Sequence, residues 1–171
     1  MNNTKKLALD GMCTAMCTVL GYIAIDTGSV KVTFESLPIL AGAFLFGPVD
    51  GLAIGTVGTL LYQLLRYGVS ATTPLWILPY TLCGLAAGLC AQRADLSRAR
   101  RALTATVVGC ELLVTLCNTI ALYVDSRLYG YYFPGFITGS LALRLVLCIV
   151  KALAFSAVLP RLLHAVRKEL H

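Results

Sequence analysis

Charge is scarce in this chain. Of its 171 residues only 13% are Asp, Glu, Lys or Arg, while 58% are hydrophobic; soluble domains carry about 25% charged residues. Roughly half the charge that dresses a water-facing surface is missing, which excludes an ordinary soluble domain. Histidine is rarer still: the two present, His164 and His171, lie near one end and offer no metal site. No GxxxxGK[ST] sequence occurs, so the chain binds no ATP through a P-loop. No Ser/His/Asp or Cys/His set falls inside the apolar runs, where an intramembrane enzyme would need one. There is also no Ser/Pro-rich linker, and no internal repeat of the kind conventional secondary transporters carry.

What remains is apolar. Mean hydropathy is +0.80, concentrated in runs at 7–25, 37–46, 51–65, 75–91, 102–124 and 136–164. A hydrocarbon core about 30 Å thick needs about 20 helical residues, and four of the runs come close to that. The other two, 37–46 and 51–65, are separated by Gly47-Pro48, a helix breaker. They read as two half-length helices joined by a tight bend, with one kinked span as the alternative. The expected fold is an all-α membrane protein, a six-helix transmembrane bundle in which residues 1–171 form a single integral membrane domain. Lys5-Lys6 before an apolar run imitates a signal peptide, but Asp10 interrupts the run and 21–26 is a poor cleavage site. The first run therefore reads as a retained helix.

Seven cysteines make an odd number. Cys13 and Cys17 are one turn apart, and Cys83/Cys90 and Cys110/Cys117 two turns apart, all within apolar runs. None follows the loop-knuckle spacing of structural zinc. They read as small buried packing residues, with no disulfide, metal or cofactor expected.

The net charge of +6 does not indicate a nucleic-acid partner, because the basic residues form no soluble footprint. They flank the apolar runs instead. With six helices, one side of the membrane holds Lys5, Lys6, Arg93, Arg98, Arg100, Arg101, Arg161, Arg167 and Lys168; the other holds Lys31, Arg66 and Arg127. The positive-inside rule then places both termini in the cytoplasm of a prokaryotic cell membrane.

Two basic residues are left, Arg144 and Lys151, both in the last run. Glu111 and Asn118 lie in the run before it. Each pair is seven residues apart and so shares one helix face. Consecutive helices are antiparallel, so residues at equal depth share an index sum. Asn118 with Arg144 and Glu111 with Lys151 both give 262, and half of that falls on Tyr131, in the middle of the expected 125–135 loop. Glu111–Lys151 reads as a structural ion pair. Asn118 cannot neutralise Arg144, so Arg144 seeks an anion or a carbonyl; the pair reads as a solute site, with a hydrogen-bonded packing pair as the alternative.

Aromatic residues gather at the same end: Tyr67, Trp76, Tyr129, Tyr131, Tyr132 and Phe133. They suit an interfacial belt, or rings that stack on a flat heterocycle. Trp76 is the best single candidate for stacking, since Thr72-Thr73-Pro74 sets hydroxyls and a turn before it. Small residues recur at close-packing spacing: Ala8, Gly11 and Ala15 in the first helix, Gly51, Gly55 and Gly58 in the third, Gly84 and Gly88 in the fourth. Packing within the chain explains them by default; a docking face for another membrane subunit is the alternative.

Phe34, Leu37-Pro38-Ile39, Leu45-Phe46-Gly47-Pro48, Gly51 and Gly55 resemble the signature of the substrate-binding S components of energy-coupling factor (ECF) vitamin transporters. The likeness extends to the basic N-terminus, the six spans, Asn118-Thr119 and Leu143-Arg144, and is nearest the folate-type branch. It implies a small membrane protein that captures a vitamin from outside with high affinity. Such a protein then topples in the bilayer while docked on a transmembrane coupling subunit driven by two cytoplasmic ATPases. Ala8, Gly11 and Ala15 would match the family's docking motif, with Gly11 and Ala15 as the aligned pair. Two departures bear on the ligand. Thr59 stands where many relatives have an acid, and 71–82 replaces a Gly-x-Tyr-x-Pro-x-Phe-Thr-Leu stretch. The expected substrate-binding set is Asn118, Arg144, Trp76, Thr73, Tyr67, Lys31 and Tyr123, with 26–36 and 67–73 closing over it. Folate or a pterin-like compound is the first expectation and riboflavin or a queuosine-type precursor the second. A stand-alone channel or secondary carrier is the alternative of another class.

Overall fold

Glycine and proline decide where the apolar sequence breaks into helices. Gly47 sits at φ 107°, in the left-handed region that favours glycine, and its N–H closes the preceding helix on Ala43 O at 3.0 Å. Pro48 then starts the next helix at a position where its missing N–H and fixed φ cost nothing. Gly68 (φ 73°) ends that helix in the same way, bonding Leu64 O at 3.2 Å.

The structure, a computed structural model, describes residues 3–26, 31–93, 100–131 and 134–170. In chain order these form α1 (Asn3–Tyr22), a two-residue strand pair β1 (Ile25–Asp26) and β2 (Lys31–Val32), α2 (Ser36–Phe46), α3 (Pro48–Tyr67), α4 (Thr73–Arg93), α5 (Arg100–Leu128) and α6 (Pro134–Leu170). The strands are antiparallel, with Ile25 opposite Val32 and Asp26 opposite Lys31. Arg98, Tyr132 and Phe133 lie outside the described residues, as does the side chain of Arg167.

Six helices stand where six were expected, with one correction. The second and third are not both half-length. α2 has 11 residues, about 16 Å at 1.5 Å per residue, but α3 has 20 and is long enough to span. Its polar ends stay helical because Pro48 and Asp50 suit a helix start and Arg66 a helix end. Thr73–Arg93, Arg100–Leu128 and Leu141–Val166 are, among the described residues, long and apolar enough to cross a membrane.

α3 and α4 meet backbone to backbone. A Cβ on Gly84 would stand 2.0 Å from Gly51 O, and one on Gly55 would stand 2.5 Å from Tyr80 O. Thr56 and Thr81 join their hydroxyls across this seam at 2.8 Å. α1 packs on α3 where a Cβ on Gly58 would lie 2.7 Å from Cys17 Cβ, and Thr18 donates to Gly58 O at 3.2 Å. α2 is the interior element, touching α1, α3, α4 and α6 and buried from Pro38 to Phe44. Ile39, Leu40, Ile54, Val107 and Leu159 fill the centre of the core.

The outer faces are apolar. Leu112, Leu116 and Ile120 on α5, and Val146, Ile149, Val150 and Leu153 on α6, are exposed. Patches of this extent are rare on soluble monomers and suit a bundle solvated by lipid. Because α2 is too short to span, the 31–36 strap before it must enter the bundle. Thr33, Glu35 and Ser36 are all buried, as irregular backbone at membrane depth requires.

Candidate functional site

α5 and α6 run antiparallel and bring the two polar layers together. Lys151 Nζ lies 3.0 Å from Glu111 Oε2. Seven residues away along each helix, about 10 Å nearer the strand-pair end, Asn118 and Arg144 line one cavity. Glu111 is fully buried, and its second oxygen accepts the hydroxyl of Ser36 at 2.5 Å. Both carboxylate oxygens are therefore engaged.

The cavity has a volume of about 60 Å³. Thr33, Tyr80, Thr115, Asn118, Arg144 and Lys151 supply its polar lining, and Val32, Val114, Leu147 and Cys148 the rest. Thr33 Oγ1 and Tyr80 Oη are hydrogen-bonded at 3.1 Å, which ties the strap to α4. Phe34, the next residue, meets the Phe155 ring edge-on at 6.3 Å, and Lys151 Nζ lies 5.8 Å from the same ring. The strap is thus fixed as one wall of the cavity by α4, α5 and α6 together.

Among the described residues that line the cavity, two buried polar atoms lack a hydrogen-bond partner: Asn118 Oδ1 and Arg144 Nε. One is an acceptor and the other a charged donor. A charge at membrane depth costs at least about 2.5–3.5 kcal/mol on insertion scales, which makes the unpaired Nε of a half-buried Arg144 the least satisfied cationic donor of this cavity.

Of the expected binding set, the structure brings Asn118 and Arg144 to the cavity and leaves four others off its walls. Thr73 is buried at the start of α4, where its hydroxyl accepts Ser70 N–H at 2.9 Å; the turn before α4 uses it locally. Trp76 lies one turn from Tyr80 on the same face of α4, nearer the strand-pair end and half-buried. Tyr67 is exposed and stands edge-on to Tyr62 at 6.1 Å. Tyr123 is also exposed, with the Arg127 guanidinium 5.5 Å over its ring. Lys31 has its backbone in β2, and its side chain lies outside the described residues. Thr33, Ser36 and Tyr80 were missed. Ser36 is a small hydroxyl between apolar residues, and only its long-range partner reveals its role.

The small residues divide into two groups. The glycines of α3 and α4 are consumed by internal packing. Ala8, Gly11 and Ala15 are all exposed on α1, and a Cβ added at Gly11 would meet nothing within 4 Å. No part of the described chain covers that face.

The chain is thus a multi-helix membrane bundle with a polar cavity at the junction of α4, α5 and α6. The profile of the family described as "ECF transporter, substrate-specific component" matches residues 5–165, and the chain belongs to that family, a multi-pass membrane transport family. Among solved structures it is similar to the S component of a bacterial ECF transporter, with a TM-score of 0.70 and 23% identity over 96% of this chain and 99% of the other. It is also similar to the S component for biotin from an ECF-type ABC transporter, with a TM-score of 0.70 and 17% identity over 95% and 94%. Among sequences it is 28% identical to a UPF0397 protein of Lactobacillus johnsonii over 71% of this chain and 68% of that one. A second UPF0397 protein, of Lactobacillus gasseri, is 27% identical over 70% and 64%.

Proposed function

We propose that residues 1–171 act as one unit, the high-affinity vitamin-binding subunit of an ATP-driven ECF importer. The observation that carries this reading is the pairing of an unsatisfied donor, Arg144 Nε, with an unsatisfied acceptor, Asn118 Oδ1, in the residues lining one polar cavity. The strand-pair end faces outside and both termini face the cytoplasm, in keeping with the distribution of basic residues. The uncovered α1 face with Ala8, Gly11 and Ala15 docks on a transmembrane coupling subunit, which two cytoplasmic ATPases drive.

Folate or a pterin-like compound is the first candidate ligand, with Arg144 pairing with a carboxylate or carbonyl of the ligand and Asn118 hydrogen-bonding beside it. Drug-sized ligands occupy pockets of about 300–1,000 Å³. A cavity of about 60 Å³ therefore seats one end of the molecule, and the remainder extends toward the strand-pair end, under the 26–36 and 67–73 segments.

Thermal-shift screening of the purified protein against vitamins tests this. A ligand at 100 times its Kd stabilises by about 2.7 kcal/mol, a shift easily read. Uptake in cells should require the coupling subunit and ATPases. Gradient-driven transport by this chain alone in proteoliposomes would refute the proposal and identify a carrier.

A further inference from the structure

The charge balance around the cavity narrows what can bind there. Among the described residues that line it, Arg144 and Lys151 are the cations and none is a carboxylate. Lys151 is compensated by Glu111. Glu111 cannot also serve Arg144, because its other oxygen holds Ser36 and it lies about two turns deeper. The next buried carboxylate, Glu35, sits behind Tyr80, beside the position a Cβ on Gly21 would take. It does not line the cavity, and it has partners of its own. Asp125, nearer the strand-pair end of α5, accepts the Tyr131 hydroxyl. Among the described cavity residues, Arg144's polar neighbour on α5 is the neutral Asn118.

A ring carbonyl placed here would accept a hydrogen bond and leave the charge standing. A carboxylate cancels it, matches the planar guanidinium fork, and finds the hydroxyl-bearing Thr115 on the same wall. Size allows it. One water needs about 10–15 Å³ of cavity volume, so about 60 Å³ holds several water-sized groups, enough for a carboxylate. We infer that this site takes an acid, carboxylate first: the ligand's buried end is a single anionic carboxylate on Arg144, and its ring or tail extends toward the strand-pair end. The inference rests on the cavity being the vitamin site.

The test uses the full chain in detergent or nanodiscs and matched acid and neutral probes. These are folic acid against 6-hydroxymethylpterin, pantothenic acid against panthenol, and biotin against biotinamide, with riboflavin as a further neutral probe. Melting shifts locate binders, and calorimetry gives their Kd. One acid should bind about 10- to 100-fold more tightly than its neutral partner, as expected for a charge-assisted hydrogen bond. Arg144→Gln should lower the acid's affinity to that of the neutral probe, and Arg144→Lys should retain part of the difference. The inference is overturned if riboflavin or another neutral probe binds as tightly as any acid, or if Arg144→Gln preserves the ratio. Should Arg144→Gln fail to fold, the wild-type acid-to-neutral ratio decides alone. Binding by no probe overturns the vitamin reading and this one with it; tight binding of a neutral probe overturns this one only.

Discussion

The hydroxyl of Ser36 donates to Glu111 across 75 residues of sequence, at 2.5 Å. Through that bond the first residue of α2 is fixed to the ion pair between α5 and α6, beneath the cavity. A fully buried carboxylate thus holds three elements at once, and each partner it loses should be felt in stability.

The three residues should respond unequally. Ser36→Ala leaves one oxygen of Glu111 without a donor in a site closed to water, a loss of about 1–3 kcal/mol. Glu111→Leu leaves Lys151 charged and uncompensated, which costs about 3–5 kcal/mol. Replacing both charges, as in Glu111→Leu with Lys151→Leu, should recover most of that loss, because the pair's own attraction barely exceeds the desolvation of its members. Melting of the three variants in one detergent checks the order. A double variant no more stable than Glu111→Leu alone would show that Lys151 is not Glu111's main partner.

Much of this arrangement was legible in the sequence. The equal index sums of Asn118 with Arg144 and Glu111 with Lys151 placed four polar residues in two layers, because antiparallel neighbours joined by a short loop leave little freedom of register. Gly47-Pro48 marked the joint between α2 and α3, because both residues act on the backbone locally. The 26–36 segment was expected to close over the site, but the individual contacts of the strap were not legible. Thr33 and Ser36 carry no periodic signal, and their partners, Tyr80 and Glu111, are 47 and 75 residues away. The aromatic residues were ambiguous for a related reason. Tyr67 and Tyr123 suit a membrane interface and a cavity wall equally by composition, and only packing separates the two.

Trp76 offers a direct probe of closure. It is the chain's single tryptophan, half-buried and one turn from the cavity-lining Tyr80 on α4. If a ligand extends from Arg144 toward the strand-pair end, its ring comes beside Trp76 and removes water from the indole. Binding should then change the intrinsic emission, and Trp76→Ala should weaken binding by about 1 kcal/mol, the scale of an aromatic contact beyond its buried area. Saturating ligand with no change in emission would place its ring elsewhere.

The glycines separate folding from coupling. Gly84→Ala forces a methyl group to 2.0 Å from the backbone oxygen of Gly51, so α3 and α4 must part and the Thr56–Thr81 bond at 2.8 Å stretches. A loss of about 1–3 kcal/mol, the range for overpacking, should appear as a lower melting temperature. Gly11→Ala meets nothing and replaces a flexible helix-interior glycine, so it should raise stability by about 0.5–1 kcal/mol. Gly11→Leu is the decisive substitution. Its side chain projects from a face that nothing in the described chain covers, so melting and ligand affinity should stay within about 0.5 kcal/mol of wild type, as for ordinary surface changes. ATP-driven uptake should nevertheless be lost, because a leucine holds apart two helices whose approach in lipid depends on small residues. Measured together in one preparation, normal binding and absent uptake assign this face to the coupling subunit. Undiminished uptake in Gly11→Leu would instead move the docking surface off Ala8, Gly11 and Ala15, to another of the exposed helix faces.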